Sequence, residues 1–204
     1  MEEEKRQQTT LEEQFDKMSL EQSKEPSQGE SSQKIINKKV LFLGFDGAGK
    51  TTTFRLLSSQ GIDDIVPTTG FNITKVSHDN FALNVFDIGG GKNIRPYWVH
   101  YVHDIDALVY FVDGTKPELF SESKIALFEV VNDENFSKKA PIVILSNKSD
   151  ETGFTPCEKL EESFELSKIE NHPWKAFSNS ITTIATSEIP EWVKWLESQW
   201  KAKK

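Results

Sequence analysis

Eight consecutive residues, Gly44-Phe45-Asp46-Gly47-Ala48-Gly49-Lys50-Thr51, have the spacing G-x-x-x-x-G-K-[ST]. Glycines at these positions let backbone N–H groups curl around an anion with no Cβ in the way. A helix starting near Lys50 adds its positive N-terminal end. Lys50 then reaches the β- and γ-phosphates of a nucleotide, and the Thr51 hydroxyl is placed to bind Mg²⁺. Gly44, Asp46, Gly47, Ala48, Gly49, Lys50, Thr51 and Thr52 are the candidate phosphate-binding set.

Two further groups support that chemistry. Asp87-Ile88-Gly89-Gly90 follows the lysine by 37 residues, with the Asp at an expected strand end. An Asp there can hold Mg²⁺ through water, and Gly90 can offer its N–H to a γ-phosphate. Asn147-Lys148-Ser149-Asp150 follows a third apolar run. The Asp150 carboxylate can accept from both N1–H and N2–H₂ of guanine, whereas adenine would leave it partly unpaired. Lys148 would lie along the base and Asn147 would tie the two loops together. An ATPase using the same phosphate loop is disfavoured by Asp150.

These residues need a sheet to present them. Val40–Leu43, Phe71–Val76, Phe81–Phe86, Ala107–Val112 and Ile142–Leu145 read as strands. Helices are expected after Lys50, after Glu118, after Pro156 and after Ile189. The alternation predicts an α/β sheet with helices on both faces. Ile189, Trp192, Val193, Leu196 and Trp200 share one helical face, expected to be core.

The chain has 204 residues, 36% hydrophobic and 27% charged, with a net charge of −8. Residues 1–38 hold nine acidic and six basic side chains and, before Lys34, only Met1, Leu11, Phe15, Met18 and Leu20 as large apolar groups. Such a stretch buries too little to order itself, so 1–38 is expected to be a disordered acidic extension and 39–204 the folded domain. A short helix over 10–20 is expected within the extension, from a Thr10–Glu13 capping box and Leu11, Phe15 and Met18 at helical spacing. The acidic balance disfavours nucleic acid as a partner. One cysteine, Cys157, excludes an internal disulfide framework, and the four histidines are too scattered for a metal site. No apolar run is long enough to span a membrane, and cytoplasmic residence is the expectation. Glu2 excludes N-myristoylation and the Lys-Ala-Lys-Lys end is no prenylation box, so lipid-anchored membrane binding is not expected.

Residues 39 to about 200 resemble the Ras superfamily of small GTPases, in its ADP-ribosylation-factor and Arf-like branch. The branch marks are Asp46, Pro67-Thr68-Thr69-Gly70-Phe71-Asn72, and Asp87-Ile88-Gly89-Gly90 followed by Ile94-Arg95-Pro96-Tyr97-Trp98. The resemblance implies a Ras-like P-loop NTPase G domain with a mostly parallel six-stranded sheet, binding GTP/GDP and Mg²⁺. It makes Thr68 the first switch threonine, closing onto Mg²⁺ beside Thr51, and 88–98 the second switch. Ser77-His78-Asp79-Asn80 becomes the turn between interswitch strands that slide between nucleotide states. It places aromatic effector contacts at Phe71, Phe86 and Tyr101, with Phe86 where tryptophan is usual, and the last base-binding loop near Ser178.

Three departures qualify the expected function. Gly91 stands where the branch has the glutamine that orients the attacking water, so intrinsic hydrolysis is expected to be very slow or absent. A ciliary subgroup of Arf-like proteins also carries Asp-x-Gly-Gly-Gly and is thought to activate another Arf-like GTPase, implying a ciliary or axonemal site as an alternative. The myristoylated N-terminal helix of the branch is replaced by the acidic extension, and the segment up to Ile189 is unusually polar. A nucleotide-dependent switch that binds protein effectors is the leading expectation. A scaffold subunit with permanently bound nucleotide, or a regulator of a related GTPase, are the alternatives.

Overall fold

The computed structural model describes residues 13, 17, 35–61, 64–180 and 189–202. The helix expected over 10–20 lies outside these apart from Glu13 and Lys17, which are helical and exposed. The first strand, β1 (Ile36–Gly44), begins three residues ahead of Lys39 and leads into α1 (Lys50–Leu57). There follow β2 (Phe71–His78), β3 (Phe81–Ile88), a 3₁₀ segment (Arg95–Tyr101), β4 (Ala107–Asp113), α2 (Phe120–Val131) and β5 (Ile142–Asn147). The chain closes with α3 (Cys157–Phe164), β6 (Trp174–Asn179) and α4 (Glu191–Lys201).

The sheet runs β2-β3-β1-β4-β5-β6, antiparallel only between β2 and β3. Every residue of β3, β4 and β5 is buried, because both faces of a parallel sheet are covered. Edge strand β2 is only half covered. One face packs Leu41, Leu43, Tyr110 and Ile144 against α2, α3 and Trp98 of the 3₁₀ segment. The other packs Phe42, Val109 and Val143 under α1 and α4, with Trp192, Val193, Leu196 and Trp200 buried as the helical stripe requires. β6 escaped the sequence reading because it is short and carries Lys175, Ser178 and Asn179.

The ends of β1, β3, β4 and β5 open on one edge of the sheet. The strand order turns around β1, where α/β sheets form their ligand crevice. At the opposite edge, α4 grips the β2–β3 turn. His78 Nδ1 meets Glu197 Oε1 at 2.7 Å, and Trp200 packs on Phe81 with ring centroids 5.6 Å apart. Lys201 Nζ lies 4.0 Å from carboxylate oxygens of both Asp79 and Glu197. No helix among the described residues is long and apolar enough to cross a membrane.

Candidate functional site

The loop after β1 takes a shape that its glycines permit. Gly44 has φ +141°, and a Cβ there would stand 2.3 Å from the Phe111 carbonyl oxygen, so no side chain fits. Gly49 caps α1 at φ 94°, in the left-handed region that glycine enters most easily. Lys50 curls back over the loop, donating to the carbonyls of Gly44 (2.7 Å) and Phe45 (3.1 Å). Burial pulls the Lys50 ammonium down to about 8, against the opposing pull of Asp87 and Asp46. A buried cation whose hydrogen bonds go to carbonyls is a ready site for a polyanion.

Beside it groups from helix α1, from the loop before β2 and from the end of β3 converge. Thr51 Oγ1 donates to Asp87 Oδ2 at 2.8 Å, and Thr68 Oγ1 lies 3.0 Å from Thr51 Oγ1 and 3.4 Å from Asp87 Oδ2. Asn72 Nδ2 donates to the same carboxylate oxygen at 3.2 Å, from the position directly opposite Asp87 in the β2–β3 register. Asp87 is fully buried, and burial raises its carboxyl above the ordinary range. Its Oδ1 has no hydrogen-bond partner among the described residues. A buried carboxylate with one oxygen orphaned and two hydroxyls on the other is an all-oxygen donor set that suits a hard cation such as Mg²⁺. No linear spacing marks Asn72 for this contact; the β2–β3 register places it there.

The base side is built from paired loops. Asn147 Nδ2 donates to the Ala48 carbonyl at 2.8 Å, and its Oδ1 accepts from Asn179 Nδ2 at 2.8 Å. Asn147 therefore does tie the phosphate loop to the base loop, with Asn179 as an unforeseen third member. Lys148, at φ 71°, reaches Asp113 at 2.7 Å. Burial pushes the Asp113 carboxyl up, but Lys148 and Thr115 outweigh it and hold the group below its ordinary value. Asp150 Oδ1 accepts from Ser180 Oγ at 2.6 Å. A cavity of about 400 Å³ joins the two sides, lined among others by Gly47, Lys50, Thr52, Gly90, Lys148 and Asp150.

Three expected residues fall elsewhere. Ser178 does not line this cavity; it points away along β6, where its Oγ accepts from the Cys157 N–H that opens α3. Ser180, two residues on, is the one that meets Asp150, and residues 181–188 lie outside the described set. Phe86 and Tyr101 are 0% and 3% exposed, so neither can touch a partner in this conformation. The 3₁₀ segment folds over β3 and encloses both in one apolar cluster. Phe71 is half-buried and lines a groove with Val66, which is 69% exposed.

The second glycine run packs directly on the phosphate loop. A Cβ on Gly90 would lie 2.4 Å from Gly44 O and 2.6 Å from Asp46 N, and one on Gly89 2.3 Å from Thr68 O. Gly91 is freer: a Cβ would meet only side-chain ends, Asn93 Oδ1 at 2.8 Å and Asp46 Oδ2 at 3.4 Å.

A phosphate loop on β1, a carboxylate on β3 and a base loop on β5 define a P-loop nucleotide-binding domain. The family model that matches is the ADP-ribosylation factor family, over residues 27–200. ADP-ribosylation factor-like protein 3 of Chlamydomonas reinhardtii is 36% identical over 163 residues, 80% of this chain and 90% of that protein. Its Caenorhabditis elegans counterpart is 33% identical, over 80% of this chain and 88% of its own length. Among solved structures, the small GTPase Arl6 (BBS3) of Trypanosoma brucei, with the bound nucleotide analogue GppNp, superposes with a TM-score of 0.74 at 24% identity. That match covers 83% of this chain and all of the other. The chain belongs to the ADP-ribosylation factor family, within the Arf-like small GTPases of the Ras superfamily.

Proposed function

We propose that this Arf-like protein is a GTP- and Mg²⁺-dependent binding switch that holds its nucleotide well and hydrolyses it very slowly. The observation that carries the reading is the contrast between two neighbouring positions. Thr51 and Thr68 meet one oxygen of the buried Asp87 carboxylate near Lys50 and leave the other unpaired, a donor set for a metal and a polyphosphate. Gly91, next to Gly90, offers no side chain to hold an attacking water.

In this reading Lys50 and the phosphate-loop amides neutralise phosphate oxygens, and Gly90 lends its N–H to the terminal phosphate. Thr51 and Thr68, with Asp87 behind them, would hold Mg²⁺, which when bound would neutralise phosphate charge. Asp150, steadied by Ser180, selects guanine, and Lys148 flanks the base. Closure of Thr68 onto Thr51 orders the segment that carries Val66 and Phe71, which then offers an apolar surface to protein effectors.

The test is single-turnover hydrolysis of bound GTP by wild type and Gly91→Gln. Only side-chain ends stand near a Cβ at this position, so the variant should fold. Restoring a water-positioning amide should raise the rate by about 10²-fold or more. Fast hydrolysis by the wild type would refute the reading. Bound GTP that neither turns over nor exchanges would favour a scaffold with a permanent nucleotide, the second reading that Gly91 supports.

A further inference from the structure

Arg95 opens the 3₁₀ segment, yet its side chain lies across the phosphate loop. Its guanidinium carbon sits 3.3 Å from the centroid of the Phe45 ring, the second residue of that loop. Its Nε donates to the Gly90 carbonyl at 2.7 Å, and Nη1 pairs with Glu122 Oε1 of α2 at 2.7 Å. The face, one edge and the far end of a planar group are thus all engaged, and the side chain is only 16% exposed. Trp98 Nε1 holds the preceding carbonyl, that of Gly89, at 3.0 Å. The peptide units on both sides of Gly90 are therefore pinned from outside. From inside, Gly90 is pressed on Gly44 and Asp46 with no room for a Cβ.

The Gly90 N–H is trans to the carbonyl held by Trp98, and the next peptide unit is held by Arg95. With both held, the N–H has one direction left to point. Arg95 also adds positive potential at the phosphate loop, since it is among the charges that pull Lys50 down. We propose that Arg95 is a positioning residue for the terminal phosphate. It clamps the Gly90–Gly91 peptide onto the phosphate loop through its stack on Phe45, and so sets preference for a nucleoside triphosphate over a diphosphate. This rests on the reading of the cavity as a guanine-nucleotide site and assigns a role which that reading did not include.

A diphosphate presents nothing to Gly90, so the clamp is spent on the triphosphate alone. Lysine cannot replace it, because an ammonium neither stacks as a plane nor donates sideways while doing so. The experiment measures affinity for GDP and for a non-hydrolysable GTP analogue, with Mg²⁺, in wild type, Arg95→Ala, Arg95→Lys and Phe45→Leu. Arg95→Ala should weaken the triphosphate about tenfold, as loss of one charge-assisted hydrogen bond does, and leave GDP within about twofold. Arg95→Lys should resemble Arg95→Ala, and Phe45→Leu, which keeps an apolar side chain, should weaken the triphosphate about threefold. Equal losses for both nucleotides would make Arg95 merely structural and overturn the inference. So would an unchanged ratio, or full rescue by lysine, which would leave only long-range charge. A wild type that binds neither nucleotide would instead sink the guanine-nucleotide reading, and the inference with it.

Discussion

Asp87 sits at a conflict between stability and binding, and Asp87→Asn should expose it. The carboxylate is fully buried, with three donors on Oδ2 and none on Oδ1. Asparagine keeps the shape and an oxygen for Thr51, Thr68 and Asn72 while removing an incompletely compensated charge. An unpaired buried polar atom costs about 1–3 kcal/mol, more when charged. Without Mg²⁺ the variant should therefore be about 2 kcal/mol more stable, which in a chain of this size is roughly 4–8 °C in Tm. Lys50 complicates the comparison, because Asp87 supports its ammonium. With GDP bound, its phosphates compensate that ammonium in wild type and variant alike, so removing Asp87 leaves no stranded cation.

The assay is thermal unfolding of GDP-loaded protein at pH 8.5, in EDTA and in Mg²⁺. Wild type should gain stability on adding Mg²⁺ and Asp87→Asn should gain little. Mg²⁺-dependent nucleotide affinity should fall by about 1.5–3 kcal/mol, roughly 10- to 150-fold, the worth of an interaction with a charged group. A variant that melts below wild type in EDTA, or gains as much from Mg²⁺, would refute the reasoning. Either result would mean that the charge is compensated by the protein alone.

Other perturbations follow from the same geometry. Lys50 is protonated only below about pH 8 in the empty fold, which bears the full cost of burying that cation there and sheds it as the pH rises toward 10.5. A bound polyphosphate restores the charge, so nucleotide binding should take up a proton between pH 8 and 9 and weaken about tenfold per unit, as calorimetry in two buffers would show. Asn147→Ala leaves the buried Ala48 carbonyl and Asn179 amide unpaired and should cost about 2–4 kcal/mol in urea denaturation. His78→Ala strands the Glu197 carboxylate, 3% exposed, with only Lys201 at 4.0 Å, and should cost about 1–3 kcal/mol. Adding Glu197→Gln should recover most of that loss.

The parts of the site visible in the sequence are those whose chemistry is contiguous. Gly44 to Thr51, Asp87 to Gly90 and Asn147 to Asp150 each carry donors, acceptors and flexible backbone within a few residues, so spacing alone exposes them. Asn72, Arg95, Asp113 and Asn179 act by pairing across strands or over loops, and no linear spacing encodes which residue faces which. Asn72 meets Asp87 because β2 and β3 pair with that register, which becomes visible only once the hairpin is built. The Ser178 error has a similar origin. With β6 unrecognised, the alternation of a strand could not separate Ser178, turned toward α3, from Asn179, turned toward Asn147, nor its end mark Ser180 as the residue at Asp150. Phe86 and Tyr101, expected as effector contacts, are buried for another reason. Aromatic residues near a switch read as exposed until a segment such as Arg95–Tyr101 folds over them.

That segment also shows how binding and hydrolysis can be separated in one loop. Trp98 and Arg95 hold the peptides around Gly90, while Gly91 ends in empty space bounded only by Asn93 and Asp46. A contact to the terminal phosphate that is equally strong in ground and transition states lengthens occupancy without raising the rate of cleavage. A group aimed at the attacking water is one that strengthens in the transition state, and position 91 has no side chain to supply it. On the function proposed above, such an arrangement would keep the bound triphosphate as a signal of long duration, its timing set by a partner that supplies the missing group or exchanges the nucleotide.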